Sequence, residues 1–367
     1  MTDHVQQHNP KVMAKGSKWV KVGFLGLVVP VAAGIAVWQG WAWWSWATSP
    51  VVTDATEQSA DYTVHIQIPP GTPGQQIGQD LEAAGMIRSA LAWKLWSRWQ
   101  ARQAPEGGFQ AGTYALAPTS PMTAIAETIW TGQVVQTAFT IPEGWNLSQM
   151  AAYFEQEGFF SADEFLAVTA DIPRDQFPWL PDGLPHLEGF LFPNTYQLPA
   201  EGITATQVRT IMLKQFETVA LPLYDPSAIN LSLLDWVTLS SIVEKESVVA
   251  EERSTIAGVF TNRLEQNIPL GADPTVEYGL GITQTPEQPL TWAQVGTPSP
   301  YNTYINPGLP PTPIASPGLA SLAAVLDPEE TEYLFFVARY DGTHVFSRTL
   351  AEHEAATNAI RATFNNN

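Results

Sequence analysis

The chain has no cysteine. Disulfides and thiolate metal sites are therefore excluded, and thiol usage says nothing about redox compartment. Histidine is sparse, six residues without close pairing, which gives no metal signature. Charged residues make up only 14% of the sequence, and basic ones are the scarcer class: 17 against 36 acidic, for a net charge of −19. Four of the basic residues, Lys11, Lys15, Lys18 and Lys21, precede residue 22, whereas all but one of the acidic residues lie beyond residue 50. The body of the chain is thus strongly acidic, which argues against nucleic acid as a partner. Its 367 residues suffice for two or three domains with a sizeable core.

Charge is also missing altogether from residues 22–47, VGFLGLVVPVAAGIAVWQGWAWWSWA. Such a run is long enough to cross a bilayer with some tilt. The four lysines flank it on one side only; Asp54, Glu57 and Asp61 lie on the other. The positive-inside rule makes residues 1–21 a cytoplasmic tail and puts everything after residue 50 outside. Trp38, Trp41, Trp43, Trp44 and Trp46 crowd the outer end as an aromatic belt would. A cleaved signal peptide is the competing reading. The length of the run and the bulky residues at its end favour a single-span anchor in the plasma membrane. Residues 48–61 read as a polar linker.

Beyond residue 61 the sequence repeats itself. An alternating strand ending in Ile68-Pro69-Pro70-Gly71 leads into a helical pattern with Ile77, Leu81, Glu82 and a stop at Gly85. The arrangement recurs as Ile141-Pro142-Glu143-Gly144, Met150, Phe154, Glu155 and Gly158. Ser89 and Ser161 are placed to cap a second helix in each copy. The two copies are expected to close alike, at Gly112-Thr113-Tyr114 and Gly189-Phe190-Leu191. A ligand-free packing module is one reading of such a unit.

The chemistry is expected in residues 232–249, read as one helix. At about 100° per residue, Leu239, Ile242, Val243, Val249 and Ala250 share a stripe with Glu246. Glu244 falls on the polar side, as a surface charge. A carboxyl on a buried face loses solvation and holds its proton to higher pH, the property a general acid needs. A Glu buried without function, or paired with an Arg, is the alternative. Glu188 is a second acidic candidate, beside a dense aromatic run that suits sugar rings. Asp273 precedes Pro274, which predicts an extended residue that caps the next turn. Residues 295–318 form a Pro-rich loop whose Tyr301 and Asn302 can hydrogen-bond sugar hydroxyls. Residues 333–338 read as a buried strand, 341–343 as a hairpin turn, and His344 as structural.

These segments resemble a known family. LEGFLFPNTY, SIVEKES, ERSTIAGVFTNRL, ADPTVEYGL, SPYNTY, GLPPTPIASPGLASL and YLFFVARYDGTHVFS, in order over residues 188–353, are similar to the YceG-like endolytic murein transglycosylases. The β-α-α units likewise resemble LysM modules, which bind N-acetylglucosamine polymers. The resemblance implies an α+β protein: a single N-terminal transmembrane helix, a LysM-like α/β subdomain over 62–140 and a mixed α+β catalytic domain over 141–367. It implies cleavage of the MurNAc-β-1,4-GlcNAc bond within peptidoglycan glycan strands to leave 1,6-anhydro ends. Glu246, matching the second Glu of the family's E-K-E segment, is then the single acid and base. Glu188, Asn262, Asp273, Tyr301 and Asn302 are the expected sugar-binding residues. No metal or cofactor is called for, and penicillin-binding proteins are partners by analogy with the family. Asn194, Ser247 and Gly271-Ala272 depart from the family's commoner residues without touching Glu246. A two-carboxylate hydrolytic muramidase and a non-catalytic glycan-binding scaffold are the other readings.

Overall fold

The computed structural model describes residues 17–53, 62–199, 202–285, 288–339 and 341–364, with side chains from residue 28 onward. They divide near residue 136 into two units. The fold is mixed α+β, with three two-stranded sheets among the described residues.

The first unit holds α1 (Ser17–Thr48), β1 (Val64–Ile68), α2 (Gly74–Ala83), α3 (Ala90–Gln103), β2 (Gly112–Leu116) and α4 (Met122–Trp130). β1 and β2 pair antiparallel, with Ile66 opposite Tyr114. Trp93 stacks on Phe109 at 4.8 Å, and Trp96 and Trp130 close the aromatic core. The uncharged run lies within α1. Its first six residues fall outside those whose side chains are described, and among the described residues no helix is long and apolar enough to cross a membrane. The expected belt is split: Trp43 and Trp44 pack on the unit's core, whereas Trp38, Trp41 and Trp46 are exposed. The expected linker is fastened at its start. Arg88 donates to the carbonyls of Pro50 and Val51, and Val52 N–H to Pro118. Residues 54–61 of that linker lie outside the described residues.

The second unit carries β3 (Gln136–Thr140), α5 (Leu147–Gln156), α6 (Ala162–Ala170) and β4 (Thr195–Pro199), then α7 (Ala205–Val219) and α8 (Leu233–Glu246). α9 (Arg253–Glu265), α10 (Asp273–Leu280), α11 (Trp292–Val295), α12 (Leu319–Leu326), β5 (Phe335–Ala338), β6 (His344–Ser347) and α13 (Leu350–Phe364) complete it.

The repeat is physical as well as textual. α2 and α5 end in the same pair of bonds: Gly85 N–H to Glu82 O with Met86 N–H to Leu81 O, and Gly158 N–H to Glu155 O with Phe159 N–H to Phe154 O. Both glycines have positive φ, as this helix stop requires. Glu82 and Glu155 then each accept from the first residue of the next helix, Ala90 and Ala162, which Ser89 and Ser161 cap. The closing strands correct the expectation. The counterpart of β2 in the second copy is β4, which pairs with β3, and not residues 189–191. Tyr114 and Tyr196 mark the equivalence, each donating its hydroxyl to the carbonyl four residues earlier.

α8 is the axis of the second unit. Ser232 and Asp235 form its capping box, and every residue from Trp236 to Val243 is buried. α9 and α12 pack against it, and Trp236 Nε1 donates to Leu322 O. The helix ends at Glu246 rather than continuing to 249, because Ser247 turns extended. Val249 therefore drops out of the predicted stripe. Gly189 sits at φ +82° with room for nothing more: an added Cβ would lie 2.5 Å from Pro313 and 3.0 Å from Val237. Gly189→Ala is expected to destabilise the protein by about 2–4 kcal/mol, the sum of overpacking and a left-handed backbone. A urea-melt midpoint unchanged from wild type would contradict this packing.

Candidate active site

Glu246 emerges from α8 onto the wall of a cavity of about 610 Å³. Lys245, Arg263, Gly271, Asp273 and Tyr304 line it, and β5 contributes Phe336, Val337 and Ala338, with His344 of β6 beside them. β5 is thus half-exposed rather than the buried strand expected, because the cavity faces it. Glu246 keeps part of its surface on the open side, yet it is packed closely enough that its pKa is pushed up to about 8. Burial is the main cause. The charges of Asp273 and Glu277 add to it, and those of Arg263 and Lys245 oppose it. Its position as the last residue of α8 acts in the same upward direction, because a helix C-terminus disfavours a negative charge. Among the described residues none hydrogen-bonds its carboxyl, so its proton is uncommitted.

Asp273 is the other cavity carboxylate. It is the first residue of α10 rather than an extended cap; Ala272 holds the extended N-cap position, and no side chain caps the helix. The carboxylate accepts instead from Tyr304 Oη at 2.6 Å. That fixes it in the cavity, facing the same space as Glu246.

The other expected sugar-binding residues point elsewhere. Glu188 is 1% exposed and accepts from Leu147 N–H, with both oxygens at 3.1 Å, and from Tyr278 Oη at 3.0 Å. It caps the start of α5. Burial drives its pKa up to about 8 as well, against the hydrogen bonds that pull it down. A raised pKa therefore does not separate the two glutamates; access to the cavity does. Asn262 Nδ2 is spent on the carbonyls of Thr331 and Tyr333, and Asn302 Nδ2 on those of Val295 and Thr297. Tyr301 Oη meets Thr312 Oγ1 at 2.9 Å. Each of these fastens a loop. Glu244 is also not a free surface charge. It accepts from Gly318 N–H and Ser321 Oγ, and so caps the N-terminus of α12.

Sequence reasoning passed over several residues of the wall. Arg263 braces the cavity, donating to Leu334, Pro269 and Leu270 carbonyls and lying 4.9 Å over the Phe335 ring. Tyr304 holds Asp273, although its neighbour Tyr301 had the same chemistry and the same loop; only the turn decides which one faces in. His344, expected to be structural, also lines the wall, with its backbone N–H and its Nδ1 on Glu252, the latter at 2.8 Å. Glu277, whose pKa burial raises, accepts from Gln284 N–H. No group of His, Asp and Glu side chains among the described residues is arranged to hold a metal ion.

The profile of the YceG-like family matches residues 66–359. A Bacillus subtilis protein named endolytic murein transglycosylase is 32% identical over 317 residues, covering 83% of this chain and 86% of its own. A Streptococcus pneumoniae protein of the same name is 30% identical, and the alignment spans 58% of its length and 79% of this chain. The crystal structure of a YceG-like protein from Listeria monocytogenes superposes with a TM-score of 0.55 at 31% identity, covering 80% of this chain and 98% of that one. With the β-α-α units and the glutamate-bearing helix lying inside the matched residues, the chain belongs to the YceG-like family.

Proposed function

We propose that this protein is a membrane-anchored lytic transglycosylase that cuts the MurNAc-β-1,4-GlcNAc bond inside peptidoglycan strands. The observation that carries the reading is Glu246: a carboxyl whose pKa burial pushes up, free of hydrogen bonds from the described residues, on the wall of a cavity large enough for sugar rings. The relatives named endolytic murein transglycosylase supply the substrate class.

Glu246 gives its proton to the glycosidic oxygen as the bond to C1 breaks. Asp273, held by Tyr304, faces the positive charge that develops on the sugar. The Glu246 carboxylate left behind is stabilised by Arg263 and Lys245. It then takes the proton from the C6 hydroxyl as O6 attacks C1. The muramyl end closes as a 1,6-anhydro ring, no water is consumed, and Glu246 ends protonated as it began. One carboxyl serves because the two transfers are successive. Asp273 in the same cavity supports a second reading, a hydrolase in which it activates water opposite Glu246. Mass spectrometry of the products separates the two, since anhydro ends are lighter by one water.

The anchor is α1, whose uncharged run and one-sided lysines support a single span with the N-terminus in the cytoplasm. The strand-helix-helix-strand unit after it is proposed as a LysM-like glycan-holding subdomain.

Glu246→Gln is expected to keep fold and glycan binding and to lose about 10²–10⁴-fold in cleavage rate, the usual worth of acid–base catalysis. Anhydro-product release at the wild-type rate would sink the assignment. Glu188→Gln should retain cleavage, because an amide oxygen can still accept from Leu147 and Tyr278; a loss equal to that of Glu246→Gln would put Glu188 in the chemistry. The pH dependence comes from the direction of the shift. The acid form of Glu246 is present below about 8, so the cleavage rate is expected to fall as pH rises through that value. Stability moves the same way. The unfolded chain releases this proton at the ordinary value of 4.5, so the native state loses stability as pH rises from there to about 8. Glu246→Gln removes that penalty and should melt higher than wild type at pH 8 and not at pH 4, as read by thermal denaturation.

A further inference from the structure

α3 carries a surface that the cleavage reaction does not use. One face of this helix holds Ala92, Trp93 and Trp96 in the core of the first unit. The adjoining face exposes Leu91, Leu95 and Trp99, at 57%, 43% and 54%. Arg98 and Arg102 share that face, and Lys94 flanks it, the whole set within an arc of about 140°. No acidic residue occurs between Glu82 and Glu106, in a chain whose net charge is −19. Within the described residues, none of the three basic side chains is paired with a carboxylate. The surface continues onto α1. An apolar notch of about 450 Å³ is lined by Trp44 of α1, by Leu95, Trp96 and Trp99 of α3, and by Thr123. Trp38, Trp41 and Trp46 stand exposed along the same end of α1.

A face that mixes large exposed apolar side chains with unpaired Lys and Arg is disfavoured in plain water. It suits the boundary of a bilayer, where rings and aliphatic side chains enter the headgroup layer and long basic side chains reach its anions. We propose that α3 is an interfacial helix that rests on anionic lipid headgroups beside the point where α1 leaves the membrane. The proposal rests on the reading of α1 as the anchor. It gives the three cations of α3 a partner that no carboxylate among the described residues provides.

The absence of cysteine makes the test direct, because one introduced thiol carries a label without background. The full chain bearing Leu95→Cys or Trp99→Cys, labelled with an environment-sensitive fluorophore, is reconstituted into phosphatidylcholine vesicles with or without phosphatidylglycerol. Gln76→Cys, on exposed α2, is the reference. Flotation with the vesicles after an alkaline wash reads the anchor separately from the label. The labels at 95 and 99 are expected to shift to the blue and to be quenched by lipid-borne quenchers several-fold more than the label at 76. The effect should be larger with phosphatidylglycerol and should fall when Lys94, Arg98 and Arg102 are all changed to Gln. Labels at 95 and 99 as water-exposed as the one at 76, in chain that floats, overturn the proposal and leave the anchor standing. Chain that fails to float overturns both. Disulfide cross-linking of two copies through the unlabelled thiol at 95 or 99 in the vesicles, with the labels beyond reach of the lipid-borne quenchers, assigns the face to a second copy of the chain and also overturns it.

Discussion

A helix that ends in a carboxyl turns its own peptide dipoles against that charge, and one buried up to its last turn adds desolvation to the opposition. α8 does both. Among the described residues none hydrogen-bonds the carboxyl of its final residue, and the charges of Asp273 and Glu277 oppose its ionisation. The rest of the second unit is arranged around this unfavourable placement. Glu244, two residues earlier, is absorbed into the cap of α12, which frees Glu246 to be the carboxyl that faces the cavity. Glu188 pins the start of α5. Arg263 braces the loop that carries Asp273, and its positive charge opposes the upward shift of Glu246.

Glu188 and Glu246 make the instructive pair. Burial pushes the pKa of both upward, and the direction of the shift does not tell them apart. They differ in what the proton can reach. The oxygens of Glu188 are enclosed by two donors, a backbone N–H and a phenol, so this carboxyl is a fixed part of the architecture. Those of Glu246 accept no hydrogen bond from the described residues and lie at the cavity wall. Perturbed titration marks candidates, and hydrogen-bond occupancy sorts them.

The helical wheel found Glu246 because residues 239–243 obey one period and are packed on every side. The same wheel erred at Val249, since nothing in the apolar spacing announces that the backbone turns extended at Ser247. Repeat spacing revealed both β-α-α units through Gly85 and Gly158, positions where only one backbone conformation closes the helix. It missed the closing strand of the second copy because a longer loop intervenes before Tyr196. Polar residues in the Pro-rich loop were the least legible. Tyr301 and Tyr304 have identical chemistry, and only the folded turn decides which faces the cavity and which ties the loop to itself. The wall residue Arg263 was visible as a basic side chain in the last turn of α9, but its three carbonyl partners come from two segments that sequence cannot bring together.

The bonds that Arg88 makes to Pro50 and Val51 have a mechanical meaning. A domain on a slack tether explores a volume set by its leash, and its effective concentration at a surface falls as the leash lengthens. Here the chain leaving α1 is clamped at once to the unit it precedes, and Trp43, Trp44 and Ala47 are part of that unit's core. Helix and subdomain are therefore one stiff body. Any tilt of α1 turns the whole of the first unit with it, so that the helix works as a lever arm and not as a string.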